Sequence, residues 1–224
     1  MITANKTTII TTVHDRLDFL EESLLSTVGK APIIVVSDVI DAYPVVSRVV
    51  PEARYLHIPR CLLGKARNEA AKLVDTPYFI IVDDDDRLLN LPDESFLDND
   101  PNVGVVYGNY LKFGIESGRM VACQNITYEG LLRQNLLFQS SLIRKTAWES
   151  VGGWWEDCPV AEDWEFWIRM AKFGWKFSPE NKDIVHYRLH PSSGWLVSMR
   201  DNKKHKEGIN MLLNHAINWS PENV

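Results

Sequence analysis

Tyr78–Asp86 reads YFIIVDDDD. Five apolar or aromatic residues run without a break into four aspartates. A short, uniformly apolar run suits a strand covered on both faces, as in a parallel sheet flanked by helices. The acids then begin where the strand should end.

Working outward, Thr7–Val13 (TTIITTV) is β-branched at every position and reads as a second buried strand. Pro32–Asp38 (PIIVVSD) is a third, also closed by an acid, and Ala53–Ile58 a fourth. Leu17–Val28 carries apolar residues at Leu17, Leu20, Leu24, Leu25 and Val28, the spacing of a helix with one buried face, with Asp15 as its N-cap. Leu62–Val74 reads as another helix. Strands alternating with helices imply an α/β fold: a mostly parallel central sheet, Rossmann-like, flanked by helices. Right-handed crossovers put the strand carboxyl ends along one edge, and ligands bind there. Asp38 and Asp83–Asp86 fall on that edge.

The second half is less regular. Val103–Tyr107 and Tyr110–Phe113 read as strands about a Gly108-Asn109 turn, with a further turn at Gly118. Thr127–Gln134 reads as a helix, Phe138–Ile143 as a strand, and Lys145–Val151 as a short helix closed by Gly152-Gly153. Ala161–Phe173 is a helix stopped by Gly174, Asp183–Leu189 a strand, and Asp201–Asn218 an amphipathic helix. No repeat or linker interrupts the chain. It reads as one domain over 1–224: a regular half to about residue 100, a smaller, less regular half to about 200, and a C-terminal helix.

Composition narrows the classes. Hydrophobic residues make up 45% of the 224, enough for a substantial core, and the formal net charge is −6. An acidic chain does not draw nucleic acid or an anionic membrane through its overall field, so nucleic acid is a disfavoured partner. Cys61, Cys123 and Cys158 are far apart and form no CxxC pair, against a zinc site or a disulfide framework and in keeping with a cytoplasmic setting. The polar Met1–Lys6 stretch has no signal-peptide character and no run is long enough to span a bilayer, so any membrane contact is expected to be peripheral.

Four adjacent carboxylates repel, and strand packing does not call for them; a solvated acidic turn is the plain alternative. A hard cation, Mg2+ or Mn2+, would relieve the repulsion and bridge to substrate phosphates. Glu162-Asp163 opens the helix AEDWEFWIRM. Acids in a first turn suit the helix dipole on their own. Here they follow a Gly- and Trp-rich stretch, Gly152–Pro159, that resembles a binding loop, and a carboxylate against an aromatic wall can act as a general base. His190, in YRLHPSS, sits at a loop mouth where an imidazole could complete a metal shell. Lys65 and Arg67 lie early in a helix, where phosphate could meet them. Most of the eight tryptophans are core by default; Trp154 and Trp155, in a Gly-flanked loop, are the candidates for stacking on a sugar.

Taken together these stretches resemble the family 2 glycosyltransferases of the GT-A fold, over about Thr7 to Ser193. TTIITTVHDRLDFLEESLLSTV resembles the opening strand and helix, IIVVSD the second strand, GKARNEAA the ARN helix, FIIVDDDD the DxD stretch, VGGWWED the acceptor-side loop, AEDWEFWIRM the ED helix and YRLH the late histidine segment. The resemblance implies an inverting, metal-dependent transferase using a nucleotide-sugar, most readily a UDP-sugar, and a hydroxyl acceptor on a glycan, a lipid-linked glycan or another molecule, with the half to about residue 100 binding the nucleotide and the half to about 200 on the acceptor side. It implies that Asp38 contacts the nucleobase, that Arg67, Asp83 and Asp84 serve the donor, and that Asp85 and His190 hold Mn2+ or Mg2+. Asp163 would be the base with Glu162 supporting it, and Trp154 and Trp155 would face the acceptor. The family's Asp-Asp-Gly-Ser after the second strand is here Ser37-Asp38-Val39-Ile40, four aspartates leave the DxD register open by one, and the QxxRW motif of processive synthases is absent.

Rival readings fit less well. A nucleotidyltransferase would want a Gly-rich basic loop after the first strand, where VHDRLDF has no glycine. A phosphatase with an aspartyl nucleophile would want its acids there too. A non-catalytic nucleotide-sugar-binding module would lose the base. A transferase acting on hydroxylated bases of DNA has only the Lys203, Lys204, His205 and Lys206 cluster in its favour, and that cluster suits a solvated helix end or an anionic lipid contact equally.

Overall fold

The computed structural model describes residues 6–220, except the side chain of Trp195; the polar start up to residue 5 and the last four residues of the C-terminal segment lie outside the described residues. In chain order the elements are β1 (Thr7–Val13), α1 (Leu20–Thr27), β2 (Ile33–Ser37), α2 (Tyr43–Val49), β3 (Arg54–His57), α3 (Leu63–Lys72), β4 (Tyr78–Ile81), β5 (Arg87–Leu88) and α4 (Ser95–Asn99). There follow β6 (Val103–Gly114), β7 (Gly118–Met120), α5 (Tyr128–Leu131), β8 (Leu142–Arg144), α6 (Lys145–Ser150), α7 (Glu162–Lys172), β9 (Lys176–Leu189), α8 (Gly194–Met199) and α9 (Asn202–Asn218). Among the described residues no helix is long and apolar enough to cross a membrane.

Among the described residues one sheet of nine strands runs β3-β2-β1-β4-β8-β6-β9-β5, with β7 beside β6. β1 lies parallel to β2 and β4, with Ile9 level with both Ile33 and Ile80. β8 then runs antiparallel to β4 and to β6, while β9 is parallel to β6. Every residue of β1, β2 and β4 is buried, because helices cover both faces. The pleat sends alternate side chains to opposite layers. Ile10, Phe79 and Ile81 pack with Ala66 and Ala70 of α3, Trp148 of α6, Phe166 of α7 and Leu212 of α9. Ile9, Ile80 and Val82 pack with Leu20 and Leu24 of α1, Val46 of α2 and Leu97 of α4.

Some local readings are corrected. Gly108-Asn109 is not a turn: β6 passes straight through it, with register shifts on either side of Asn109. Gly108 is there for close approach, since a Cβ would meet Lys182 O at 2.5 Å. Asp15 does not cap α1, which begins at Leu20 after Phe19 with no side-chain cap. His14 and Arg16 instead reach acids at the sheet edge. The strand expected at Phe138 starts only at Leu142, and α2, α4 and α8 were not foreseen. In α2 the sequence alternates apolar pairs with polar residues, and Pro44 is tolerated because it sits in the first turn.

Candidate active site

The parallel strands β1, β2 and β4 bring His14–Arg16, Asp38 and Asp83–Asp86 to one edge. The four aspartates there do four different things. Asp83 accepts from Arg67 Nη2 at 2.9 Å, and its carbonyl accepts from Ser23 Oγ. Asp84 Oδ1 lies 3.3 Å from Arg16 Nη2. Asp85 Oδ2 lies 2.5 Å from that same nitrogen and 2.9 Å from His190 Nε2, so β4 and the end of β9 meet at this oxygen. Asp86 is wholly buried and accepts from the Arg188 backbone N–H at 2.8 Å. Asp86 therefore ties the turn to β9, and Asp83 and Asp85 are the alternate pair at the edge.

Crowding raises the proton affinity of this cluster. Burial, then the charge of Asp85, pushes Asp84 up to about 8. Burial and the Asp83 charge raise Asp85, and burial raises Asp86 well above the usual carboxylate range. Among the described residues no three His, Cys, Asp or Glu side chains form a metal shell. The set on offer is one carboxylate and one imidazole, Asp85 and His190, beside further acids. That fits Mg2+ or Mn2+, which commonly take one or two carboxylates and leave places for water and phosphate oxygens, and a dication would offset the repulsion just described.

Asp38 closes β2 and is nearly buried. Its carboxylate lies 2.8 Å from His14 Nδ1 and accepts from the Cys61 N–H at 3.0 Å. Lys65 stays exposed, 3.7 Å from Glu156, and is away from the acidic edge's hydrogen-bond network.

Arg67 joins the two halves of the chain. Fully buried in α3, it reaches Asp83 with one terminal nitrogen and Glu162 with the other. Asp163, next in line, accepts from Asn135 Nδ2 at 2.9 Å on Oδ2. Burial and the Glu162 charge push Asp163 up to about 6, opposed by Arg67 and the Asn135 bond. The residue before this pair, Ala161, has φ 50°, the only positive φ outside glycine among the described residues. A strained residue at the mouth of α7 is the kind of backbone that surrounding structure must hold in place.

The Gly-Trp loop differs from expectation. Trp154 does not face an acceptor: it is buried in the core, 4.8 Å from the Phe166 ring and 6.1 Å from Phe79. Asn68 of α3 pulls it in, donating to Trp154 O at 2.9 Å and accepting from Trp154 N at 2.8 Å. Trp155 stacks on His215 of α9 with ring centres 4.0 Å apart, so one of its faces is covered. His215 in turn meets Glu165, which is paired with the buried Arg169, and Arg169 donates to the carbonyls of Val151 and Gly153. The loop, α7 and α9 are thus one polar-bonded unit.

Arg16, His14, Asn68 and Asn135 were missed in the sequence reading. His14 and Arg16 follow a buried parallel strand, so the same edge rule that singled out Asp38 could have found them. Asn135 lies in an irregular stretch with no periodic signal.

No family model matches the chain, and no curated protein matches it. Solved structures do share its fold. S. aureus TarS 1–349 in complex with UDP superposes with a TM-score of 0.61 at 16% identity, over 98% of this chain and 74% of that one. The same fragment in complex with UDP-GlcNAc gives 0.66 at 15% identity, over 98% and 69%. The mannosyltransferase PcManGT from Pyrobaculum calidifontis, in complex with GDP-Man and Mn2+, gives 0.65 at 16% identity, over 95% and 65%. Against a longer TarS chain this protein spans 45% of the length. At these identities the likeness is one of fold.

Proposed function

We propose that this chain is a metal-dependent, inverting glycosyltransferase of the family 2 type with a GT-A fold, acting as one domain on a nucleotide-sugar donor and a hydroxyl acceptor. One observation carries the reading. Buried Arg67 bonds both Glu162, the neighbour of Asp163, and Asp83, the first of the acids at the strand end where Asp85 meets His190. The site takes residues from both halves of the chain, which supports treating it as one domain. The shared fold with TarS bound to UDP-GlcNAc and with a mannosyltransferase bound to GDP-Man and Mn2+ supports the donor class. The three free cysteines suit a cytoplasmic location.

In this mechanism Asp85 and His190 would hold Mn2+ or Mg2+, and the bound ion would supply electrostatic stabilisation of the departing diphosphate. Asp38, with His14 beside it, meets the nucleobase. Asp83 is fixed by Arg67 and faces the ribose. Asp163 presents Oδ1 to the acceptor hydroxyl while Asn135 holds Oδ2. As the acceptor oxygen forms its bond to the anomeric carbon, its proton passes to Asp163 and the bond to the diphosphate breaks. Attack opposite the leaving group inverts the anomeric centre. Glu162 is held by Arg67 and orients the base. A general base of this sort contributes about 10²–10⁴-fold in rate.

The test is calorimetric titration with UDP, GDP and dTDP, with Mn2+ and then with EDTA, followed by transfer or donor hydrolysis by Asp163→Asn. Metal-dependent nucleotide binding, retained in Asp163→Asn while turnover falls at least about a hundredfold, is the expected result. Normal turnover by the variant would remove Asp163 from its role.

A further inference from the structure

Asp85 Oδ2 is contested: Arg16 Nη2 and His190 Nε2 both lie on it, at 2.5 and 2.9 Å. The same Arg16 nitrogen reaches Asp84 Oδ1 at 3.3 Å. Arg16 leaves β1 at the sheet edge and is partly exposed there. Its Nε is buried and makes no hydrogen bond. A guanidinium is a planar fork of five donors, matched to two oxygens of one carboxylate or phosphate. Here a single nitrogen is divided between two aspartates and another donor goes unmatched. That is a cation serving as a neutraliser, with its fork unused.

We propose that Arg16 is an exchange residue, occupying Asp84 and Asp85 until a divalent cation takes the Asp85 oxygen and then passing its guanidinium to the donor diphosphate. The proposal rests on the glycosyltransferase reading above. Charge gives it direction. With Arg16 on Asp85, a dication must displace a bonded guanidinium. Once it has done so, the displaced positive charge stands beside it with only the long 3.3 Å contact to Asp84 left to it. A diphosphate supplies an anion and presents the paired oxygens the fork is shaped for. Each ligand therefore improves the site for the other, and such coupling is reciprocal by linkage. Arg16 is also close enough in sequence to β1 that a change of side-chain rotamer, with no shift of the sheet, can make the exchange.

The experiment measures Mn2+ affinity by electron paramagnetic resonance and UDP affinity by calorimetry, on wild type, Arg16→Gln and Arg16→Lys, each checked for folding by circular dichroism. Arg16→Gln removes the competitor, so Mn2+ alone should bind about tenfold tighter, a typical size for such coupling. UDP with saturating Mn2+ should bind about tenfold weaker, and the cooperativity between the two should shrink. Arg16→Lys keeps a competing charge and loses the fork: Mn2+ alone should bind as in wild type, and UDP more weakly. Unchanged or weaker Mn2+ binding by Arg16→Gln overturns the exchange. If Arg16→Gln does not fold, undiminished UDP affinity in Arg16→Lys overturns it instead. Failure of wild type to bind UDP, GDP or dTDP with Mn2+ present would remove the donor reading and the diphosphate half of the exchange, while the Mn2+-only comparison still decides the first half.

Discussion

Arg67 and Glu162 are paired across 95 residues of sequence, from the middle of α3 to the first turn of α7. The other end of the guanidinium holds Asp83 at 2.9 Å. Such a bridge is costly to break from one side, because it leaves buried charge uncompensated; the penalty is about 3–5 kcal/mol. Arg67→Met should therefore lower the melting temperature by roughly 6–20 °C, at 2–4 °C per kcal/mol for a chain of this size. Arg67→Lys should recover only part of that, since one ammonium cannot span two carboxylates in a fork. Scanning calorimetry decides it: a melting temperature within a degree or two of wild type in Arg67→Met would show that the bridge does not hold the two halves together.

As the proposed base, Asp163 must be ionised to accept a proton. Burial and Glu162 raise it to about 6, so kcat/KM should climb as pH rises through about 6 and level off above. The Asn135 amide donates to the charged form and favours it. Asn135→Ala should move that limb upward by about half a unit to one unit, as expected for one hydrogen bond to a partly buried carboxylate. A purely structural role for Asn135 would lower the plateau and leave the limb where it was, and the pH profile separates the two.

Asp84 makes stability depend on pH in an unusual sense. Its folded value is raised, to about 8 from 3.8, so the native state keeps a proton that the unfolded chain gives up. Its contribution is full below the unfolded value and is lost as pH rises toward the folded one. The slope is at most about 1.4 kcal/mol per pH unit. Without divalent cations, the melting temperature should decline from about pH 5 to 8, and Asp84→Asn should flatten the decline. Adding Mn2+ at the upper end should restore stability, since an ion bound to the native state shifts unfolding by mass action. A decline of the same size in Asp84→Asn would assign it to other groups.

The acidic edge was legible from sequence because two local signals agree there. β1, β2 and β4 are short runs of β-branched, apolar or aromatic residues, as suits parallel strands covered on both faces, and parallel strands fix where their ends lie. Asp38, Asp83 and Asp85 follow from that alone. Asp86 does not: its side chain goes to the Arg188 N–H of β9, a partner 102 residues away that no local pattern announces. Gly108-Asn109 carried the chemistry of a turn, yet Gly108 is needed for contact with β9. Trp154 looked like a loop residue because glycines flank it. The glycines let the loop press against α3, where Asn68 bonds both backbone groups of Trp154 and the ring is carried into the core. In each case a contact distant in sequence overrides a short-range signal.

That loop gives a further test. At Gly64 an added Cβ would meet Trp155 O at 2.5 Å, and at Gly153 it would meet Asn68 Oδ1 at 2.5 Å, with φ there at +71°. Gly64→Ala pushes on backbone, which can yield only by moving the loop, and should cost about 1–3 kcal/mol, as overpacking does. Gly153→Ala combines a clash with a left-handed backbone, which adds about 1–2 kcal/mol. The two parts can be separated. Asn68→Ala removes the atom that the new methyl would strike, so Gly153→Ala should cost less in that background than in wild type, by about 0.5–3 kcal/mol of coupling. The backbone part should persist. Full additivity in urea unfolding of the four proteins would mean that Asn68 is not what holds Gly153 close, and the account of how Trp154 comes to be buried would have to be redrawn.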